Sequence, residues 1–276
     1  VREHRGVTGE PRFRADLYRG TAEHYERYRR PYPTALMDDL RARVAVGPAD
    51  RVVDLACGTG QIAFGLADAV GEVVAVDQEP ELIARARRKA DGLGVTNIHW
   101  ITARAEAVEL DGTFGLVAIG NAFHRLDRDV VARRLVPHLA PGGGMALLWS
   151  WSPAHGDAPW QHVLDDVLRR WMDALDTGDR VPSGWEQAIA RDPHEAVLRR
   201  AGLRYEGRVE VRVAEEWTVE SLIGNACSTS YVNPVVLGER QTEFEDDVRA
   251  ALLACAPDGV FVQDQTYAYE LARRTA

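Results

Sequence analysis

Cysteine is scarce in this chain. Its 276 residues include three, Cys57, Cys227 and Cys255, and none stands in a C-x-x-C pair. Neither a zinc cluster nor a disulfide framework is suggested, and no metal site is expected. Lysine is scarcer still: Lys89 is alone, and arginine carries the remaining positive charge. Acids outnumber bases by 42 to 33, for a net charge of −9. That balance argues against a uniformly basic nucleic-acid surface, although local arginine patches stay open. No apolar run is long enough to span a bilayer, and the first residues are charged with no apolar segment among them. A soluble, cytoplasmic protein with neither nucleic-acid nor membrane partners is the expectation. Repeats and low-complexity tracts are missing too. The hydrophobic fraction of 46% is enough for a sizeable core. The length is great for a bare nucleotide-binding core and small for two full domains, which suggests one core with helical additions.

The most informative stretch is Val52-Val53-Asp54-Leu55-Ala56-Cys57-Gly58-Thr59-Gly60. A β-branched run ends in an acid and passes into a loop with two glycines, where the backbone can turn tightly and a ligand can approach bare main chain. An amphipathic helix follows from Gln61 to Val70. A second apolar run, Val73-Val74-Ala75-Val76, closes on Asp77. An acid at the end of the second strand of a βαβ unit is placed to accept from both ribose hydroxyls of a nucleoside. A lone glycine-rich turn is weak evidence, and Gly58-x-Gly60-x-x-Ala63 also fits the dinucleotide fingerprint. Asp54 opposes that fit, because the dinucleotide pattern wants an apolar residue or glycine there.

These residues resemble the first two motifs of the class I S-adenosylmethionine-dependent methyltransferases. The first has the form acid-x-x-x-Gly-x-Gly, and the second is an acid at the tip of the next strand. The N-terminal Tyr25-Glu26-Arg27-Tyr28-Arg29-Arg30-Pro31-Tyr32-Pro33 resembles the Y-x-x-x-R-P-x-Y-P stretch of small-molecule members, the trans-aconitate methyltransferase-like and UbiE-like enzymes.

Apolar periodicity gives the organisation. Helical spacing runs from Asp16 to Val44 with a break at Pro31-Tyr32-Pro33. Strands are expected at 51–55, 73–77, 98–102, 115–120 and 144–150, and helices at 61–70, 80–92 and 128–139, with a turn at Pro141–Gly144. Such alternation implies a parallel sheet covered by helices on both faces. After Trp151 the composition shifts to helical segments rich in tryptophan. A strand at Leu203–Val213, helices at 218–227 and 239–255, and a strand at Val260–Leu271 follow. The expected domains are an N-terminal helical segment (1–47), the cofactor-binding core (48–151), a helical insertion capping the substrate (152–200) and a C-terminal completion of the sheet with lid helices (201–276). With the resemblance added, the fold class is α/β: a Rossmann-like doubly wound seven-stranded sheet with an antiparallel final strand.

The resemblance implies S-adenosyl-L-methionine as cofactor and assigns its contacts. Ala56 and Gly58 stand near the methionine amino group, with Asp54 acting directly or through water, and Gly60 permits close approach. Asp54 as a mere strand-end cap is the alternative. Asp77 takes the ribose, and Gln78 flanks adenine. Where many members carry an aspartate for the adenine amino group, this chain has Arg104, which has no acceptor to offer. Adenine recognition then falls to the backbone around Ala105, to Glu106 or to stacking. Arg30, with Tyr25 second, is the candidate for the cofactor carboxylate, and Arg29 is read as a solvated surface arginine. Asn121 would meet the methionine end. His124 is the most suitable general base, with a histidine that only shapes the pocket floor as the alternative. Cys227–Tyr231 is a candidate for orienting a polar acceptor. The implied activity is methyl transfer to an oxygen, or a nitrogen, of a small molecule. A cofactor-binding protein with a non-methylating reaction such as cyclisation is the second reading.

Overall fold

The computed structural model describes residues 16–180 and 184–275. Two short helices lead in, α1 (Ala22–Tyr28) and α2 (Thr34–Val44), and they part at the expected proline break. The alternating core follows as β1 (Arg51–Leu55), α3 (Gln61–Ala67), β2 (Glu72–Asp77), α4 (Pro80–Leu93), β3 (Ile98–Thr102), β4 (Phe114–Gly120), α5 (Arg128–Leu135) and β5 (Leu139–Ser150). Three helices come next: α6 (Pro159–Ala174), α7 (Trp185–Arg191) and α8 (His194–Arg200). The chain closes with β6 (Leu203–Thr218), α9 (Val219–Cys227), α10 (Pro234–Leu237), α11 (Gln241–Cys255) and β7 (Val260–Arg274). No described helix is long and apolar enough to cross a membrane.

All seven strands form one sheet, in the order β3-β2-β1-β4-β5-β7-β6. The first five are parallel, and β7 runs antiparallel to both β5 and β6. Because helices cover both faces, the inner strands carry apolar residues on both sides: Val52, Val53, Leu55, Leu116, Val117 and Ala118 are all fully buried. The order reverses between β1 and β4, and at such a switch point the carboxyl ends of the strands leave a crevice.

Two departures from the expected elements have local causes. Helix α5 stops at Leu135, because Pro137 has no N–H to continue it, and a single 3₁₀ turn (Val136–His138) follows. The glycine run after it is a bulge inside β5 rather than a turn before it. Phe114 pairs with Leu139 and Leu116 with Gly144, so 140–143 oppose Gly115 alone. Gly142 takes a φ of +77° there, a conformation that favours glycine.

The β6–β7 ribbon is longer than the rest of the sheet. Tyr267 pairs with Ser150, the last residue of β5, and β7 from Val260 to Thr266 pairs with β6 alone. This overhang builds a wall above the carboxyl ends of the parallel strands. Behind it lies a third apolar cluster, separate from those on the two sheet faces, in which Trp160, Trp171, Trp217, Phe244 and Phe261 join α6, α9 and α11.

Candidate active site

The first loop is folded around the two acids. Ala56 and Gly58 have φ of +58° and +57°, and Gly60, with φ +86°, opens α3. A side chain at Gly58 would place its Cβ 3.1 Å from the Tyr25 ring, so glycine is what lets α1 close over the loop. The Asp77 carboxylate ties this loop to the next. Its Oδ2 accepts from Gly58 N–H at 2.8 Å and its Oδ1 from Glu79 N–H at 2.8 Å. Burial pushes its pKa up, against those two bonds. Asp54 is 1% exposed. Its Oδ2 accepts from Ala63 N–H at 2.9 Å, while its buried Oδ1 has no partner. Burial, with the nearby charge of Asp77, raises its pKa to about 7.

Two cavities adjoin over the strand ends. The larger, about 940 Å³ and open to solvent, is bordered by Gly58, Asp77, Gln78, Leu82, Ala105 and Glu106. The smaller, about 650 Å³, is bordered by Asp54, Arg29, Arg30, Tyr32, Ser150 and Gln265, among others. Tyr25, Ala56, Gly120 and Asn121 border both and form the seam. Of the residues expected around a cofactor, Gly60 alone borders neither, and it stands against the Trp100 ring. Arg104 also edges the larger cavity, with its Nε 3.5 Å from Glu106 Oε2. The Asn121 amide is committed to Ser150: Nδ2 donates to Oγ at 2.7 Å, and Oδ1 accepts from N–H at 3.1 Å. Its backbone N–H, at φ +48°, is committed as well, donating to Leu148 O at 2.9 Å.

The surroundings of Arg30, of His124 and of the segment after α9 bear on the roles expected of them. Arg30 borders the smaller cavity, but its guanidinium is engaged elsewhere. Its Nη2 donates to the Glu216 carbonyl at 2.6 Å, its Nε lies 3.5 Å from Glu215 Oε2, and the group sits 4.6 Å over the Trp217 ring. Arg29 is the less exposed of the two. Its Nε donates to Ser228 Oγ at 2.7 Å, and no carboxylate among the described residues pairs with it. Sequence reasoning set Arg29 aside because helical spacing alone does not say which of two adjacent arginines turns inward.

His124 borders neither cavity. It lies in a 3₁₀ turn (Phe123–Arg125), stacked on Trp149 at 5.6 Å and against Trp185 at 4.9 Å, and its Nε2 accepts from Arg125 Nε at 3.1 Å. Burial, then the charges of Arg125, His194 and Arg128, lower its pKa to about 2. An imidazole so placed is a poor base, and it fits the floor-shaping alternative. The hydroxyls after α9 do not reach the cavities either. Ser228 Oγ donates to Asn225 O at 2.5 Å and Thr229 Oγ1 to Ala226 O at 2.7 Å, so they cap the helix. Gln265, at the cavity edge, was missed. The alternation Gln263, Gln265, Tyr267 along β7 is the signal that would have placed it on the inward face. Among the described residues no cluster of histidine, cysteine or acid could hold a metal ion.

The architecture defines a Rossmann-like α/β protein with two buried acids in a cleft at the switch point. Residues 52–143 match the model of a family described as a methyltransferase domain. The chain is 37% identical over 102 residues to demethylmenaquinone methyltransferase of Thermus thermophilus, a stretch covering 36% of this chain and 46% of that protein. The chain thus spans under half the length of the curated relatives it matches first. A putative type II methyltransferase from Anaeromyxobacter dehalogenans superposes with a TM-score of 0.55 at 22% identity, over 90% of this chain and 98% of that one. The [4+2]-cyclase SpnF superposes at 0.50 and 18% identity, over 90% and 84%. At such identities the structural likeness is one of fold. The sequence likeness to a methyltransferase domain thus covers residues 52–143, and the likeness over the whole chain is one of fold.

Proposed function

We propose that this protein transfers a methyl group from S-adenosylmethionine to an oxygen or nitrogen of a small molecule. The observation that carries the reading is the pair of adjoining cavities, each with its own buried acid and a shared seam at Ala56, Gly120 and Asn121. The larger suits a nucleoside: Asp77 would take the ribose hydroxyls, with Gln78, Ala105 and Glu106 around the base. The smaller suits an amino-acid end. Asp54 Oδ1, buried without a partner, would receive the ammonium group. Arg29, with no paired carboxylate among the described residues, would receive the carboxylate, a match of charge and of bidentate geometry. Tyr25, over Gly58, would close the seam.

The cofactor supplies a methyl carbon already activated by a positively charged sulfur. What the chain must add is position and exclusion of water. The acidic net charge favours a small acceptor over a nucleic acid. The withdrawal of His124 from the cleft favours a second reading, cofactor binding with a non-methylating reaction such as cyclisation. One set of measurements decides. Calorimetry should show binding of S-adenosylhomocysteine and none of NAD. Labelled S-adenosylmethionine, incubated with pools of small hydroxylated and amine compounds, should yield labelled product. Tight binding with no transfer to any acceptor would favour the second reading, and NAD binding alone would overturn both.

A further inference from the structure

Gln265 has no part in holding the cofactor as proposed above. It is 3% exposed and borders the smaller cavity from β7. Its amide has a fixed sense, because Nε2 donates to the Trp151 carbonyl at 3.0 Å and an oxygen there would find no donor. The other end, Oε1, is buried with no partner. Gln263, two residues back on the same face, makes the contrast. Its Nε2 donates to Ser152 O at 3.4 Å, and its Oε1 accepts from Trp217 Nε1 at 3.0 Å. Both glutamines hold the chain beyond β5, but only Gln263 has both ends of its amide satisfied. A buried carbonyl without a donor is rare in folded proteins, and the residue that carries this one borders the cavity.

Sheet order separates Gln265 from the cofactor-holding residues. The sequence β1-β4-β5-β7 sets it three strands from Asp54, about 14 Å at the usual strand spacing. The walls on that side are rings: Tyr32, Trp151, Trp217 and Tyr267. Their polar atoms are partly engaged already. The Tyr267 hydroxyl donates to Glu215 Oε1 at 2.9 Å and the Trp217 N–H to Gln263. Arg30, beside them, is held by Glu215 and Glu216.

We infer that Gln265 Oε1 orients the acceptor molecule by receiving a hydrogen bond from its O–H or N–H, and that the acceptor carries this donor on an aromatic body. Phenols and anilines are the simplest molecules with both features. An ionised carboxylate at the same place would face a carbonyl oxygen and be rejected. The inference rests on the methyltransferase reading, because it takes the Asp54 side of the cavity to be filled by cofactor.

The test uses the full chain saturated with S-adenosylhomocysteine and titrated with phenol, aniline and toluene, followed by ligand-detected NMR. Phenol or aniline should bind about tenfold more tightly than toluene, the margin of one hydrogen bond. In Gln265→Met that margin should shrink below about twofold, while affinity for S-adenosylhomocysteine stays within about twofold. A crystal structure of the wild type with phenol gives the same answer without a variant: the phenol oxygen should lie within about 3.2 Å of Oε1. Toluene binding as tightly as phenol, a margin that survives in Gln265→Met, no binding of any of the three at millimolar concentration, or a phenol oxygen seated elsewhere would each overturn the inference alone. Failure of S-adenosylhomocysteine to bind the wild type would instead overturn the methyltransferase reading, and the inference with it.

Discussion

Asp54 holds the most charge-sensitive position in the cleft. Its folded pKa of about 7 lies above the ordinary 3.8, so between those values the folded chain binds a proton that the unfolded chain has released. The Asp54 contribution to stability therefore falls as pH rises from about 4 to 7, by up to about 1.4 kcal/mol per pH unit, and levels off above. The buried histidines His124 and His194, whose pKa values are lowered, act with the opposite sign up to about pH 6.5. Acids held low by arginine, such as Asp192 beside Arg200, act with the opposite sign and below that window. Asp54→Asn should remove this contribution, so in denaturant titrations the stability of the variant relative to the wild type should rise with pH across the range from about 4 to 7, by up to about 1.4 kcal/mol per pH unit. A ligand ammonium needs the ionised form. Affinity for S-adenosylhomocysteine should therefore climb as pH passes through 7 in the wild type and lose that climb in the variant. An unchanged pH profile would mean that Asp54 meets no cation. The adjacent arginines divide in the same way. Arg29→Ala should weaken S-adenosylhomocysteine about tenfold or more, since it removes a charge-assisted pair, and should leave adenosine nearly untouched. Arg30→Ala should affect the two ligands alike, because its partners are Glu215, Glu216 and Trp217. If Arg30→Ala were the variant selective for the carboxylate-bearing ligand, the sequence-based choice would be restored.

At the scale of elements, the legible parts are those where local pattern and tertiary role agree. The five parallel strands stand within a few residues of their apolar runs, and Asp54 and Asp77 fall at strand ends as their spacing implies. The misplacements have a common cause in tertiary context. The glycines at 142–144 look like a turn, but Gly144 pairs with Leu116 and the strand absorbs them as a bulge. β6 reaches Thr218 rather than Val213, because fifteen of its residues pair with β7 and pairing, not alternation, sets its length. His124 has the chemistry of a base, and only the positions of Trp149 and Trp185 show that its ring is enclosed. The seam between α1 and α9 was equally hidden. Gly224 of α9 lies directly against the Tyr28 ring, so a Cβ there would overlap it, and Asn225 Nδ2 donates to the Tyr28 carbonyl at 3.3 Å. Gly224→Ala raises helix propensity yet should destabilise the fold by about 1–3 kcal/mol through overpacking. It should also weaken cofactor binding, since Tyr25 and Arg29 ride on the displaced helix end. An unshifted urea midpoint would show that the seam yields without cost.

For the whole molecule, the cleft lies where separately packed bodies meet. One apolar cluster joins α2 and α3 to the sheet, a second joins α5 and α8 to its other face, and a third holds α6, α9 and α11 together. The cavities draw residues from the chain before β1, from the loops after β1, β2 and β4, and from the β6–β7 overhang. A ligand lodged there touches several bodies at once, so it should tighten their association as well as fill space. Bound at a hundredfold excess over its dissociation constant, S-adenosylhomocysteine should add about 2.7 kcal/mol to global stability by mass action alone. Hydrogen exchange resolves where the tightening falls. Slowed exchange is expected in the loop at 56–60, where Gly58 N–H meets Asp77, and also in α1 and α9, which no sheet hydrogen bond holds and which Arg29 links through Ser228. The far end of α11, remote from both cavities, serves as the reference and should change only by the global term. Protection confined to the loops after β1 and β2 would show a nucleoside bound on the sheet with the roof indifferent to it. That result would remove Arg29 from the site and leave the N-terminal helices as a support for the fold.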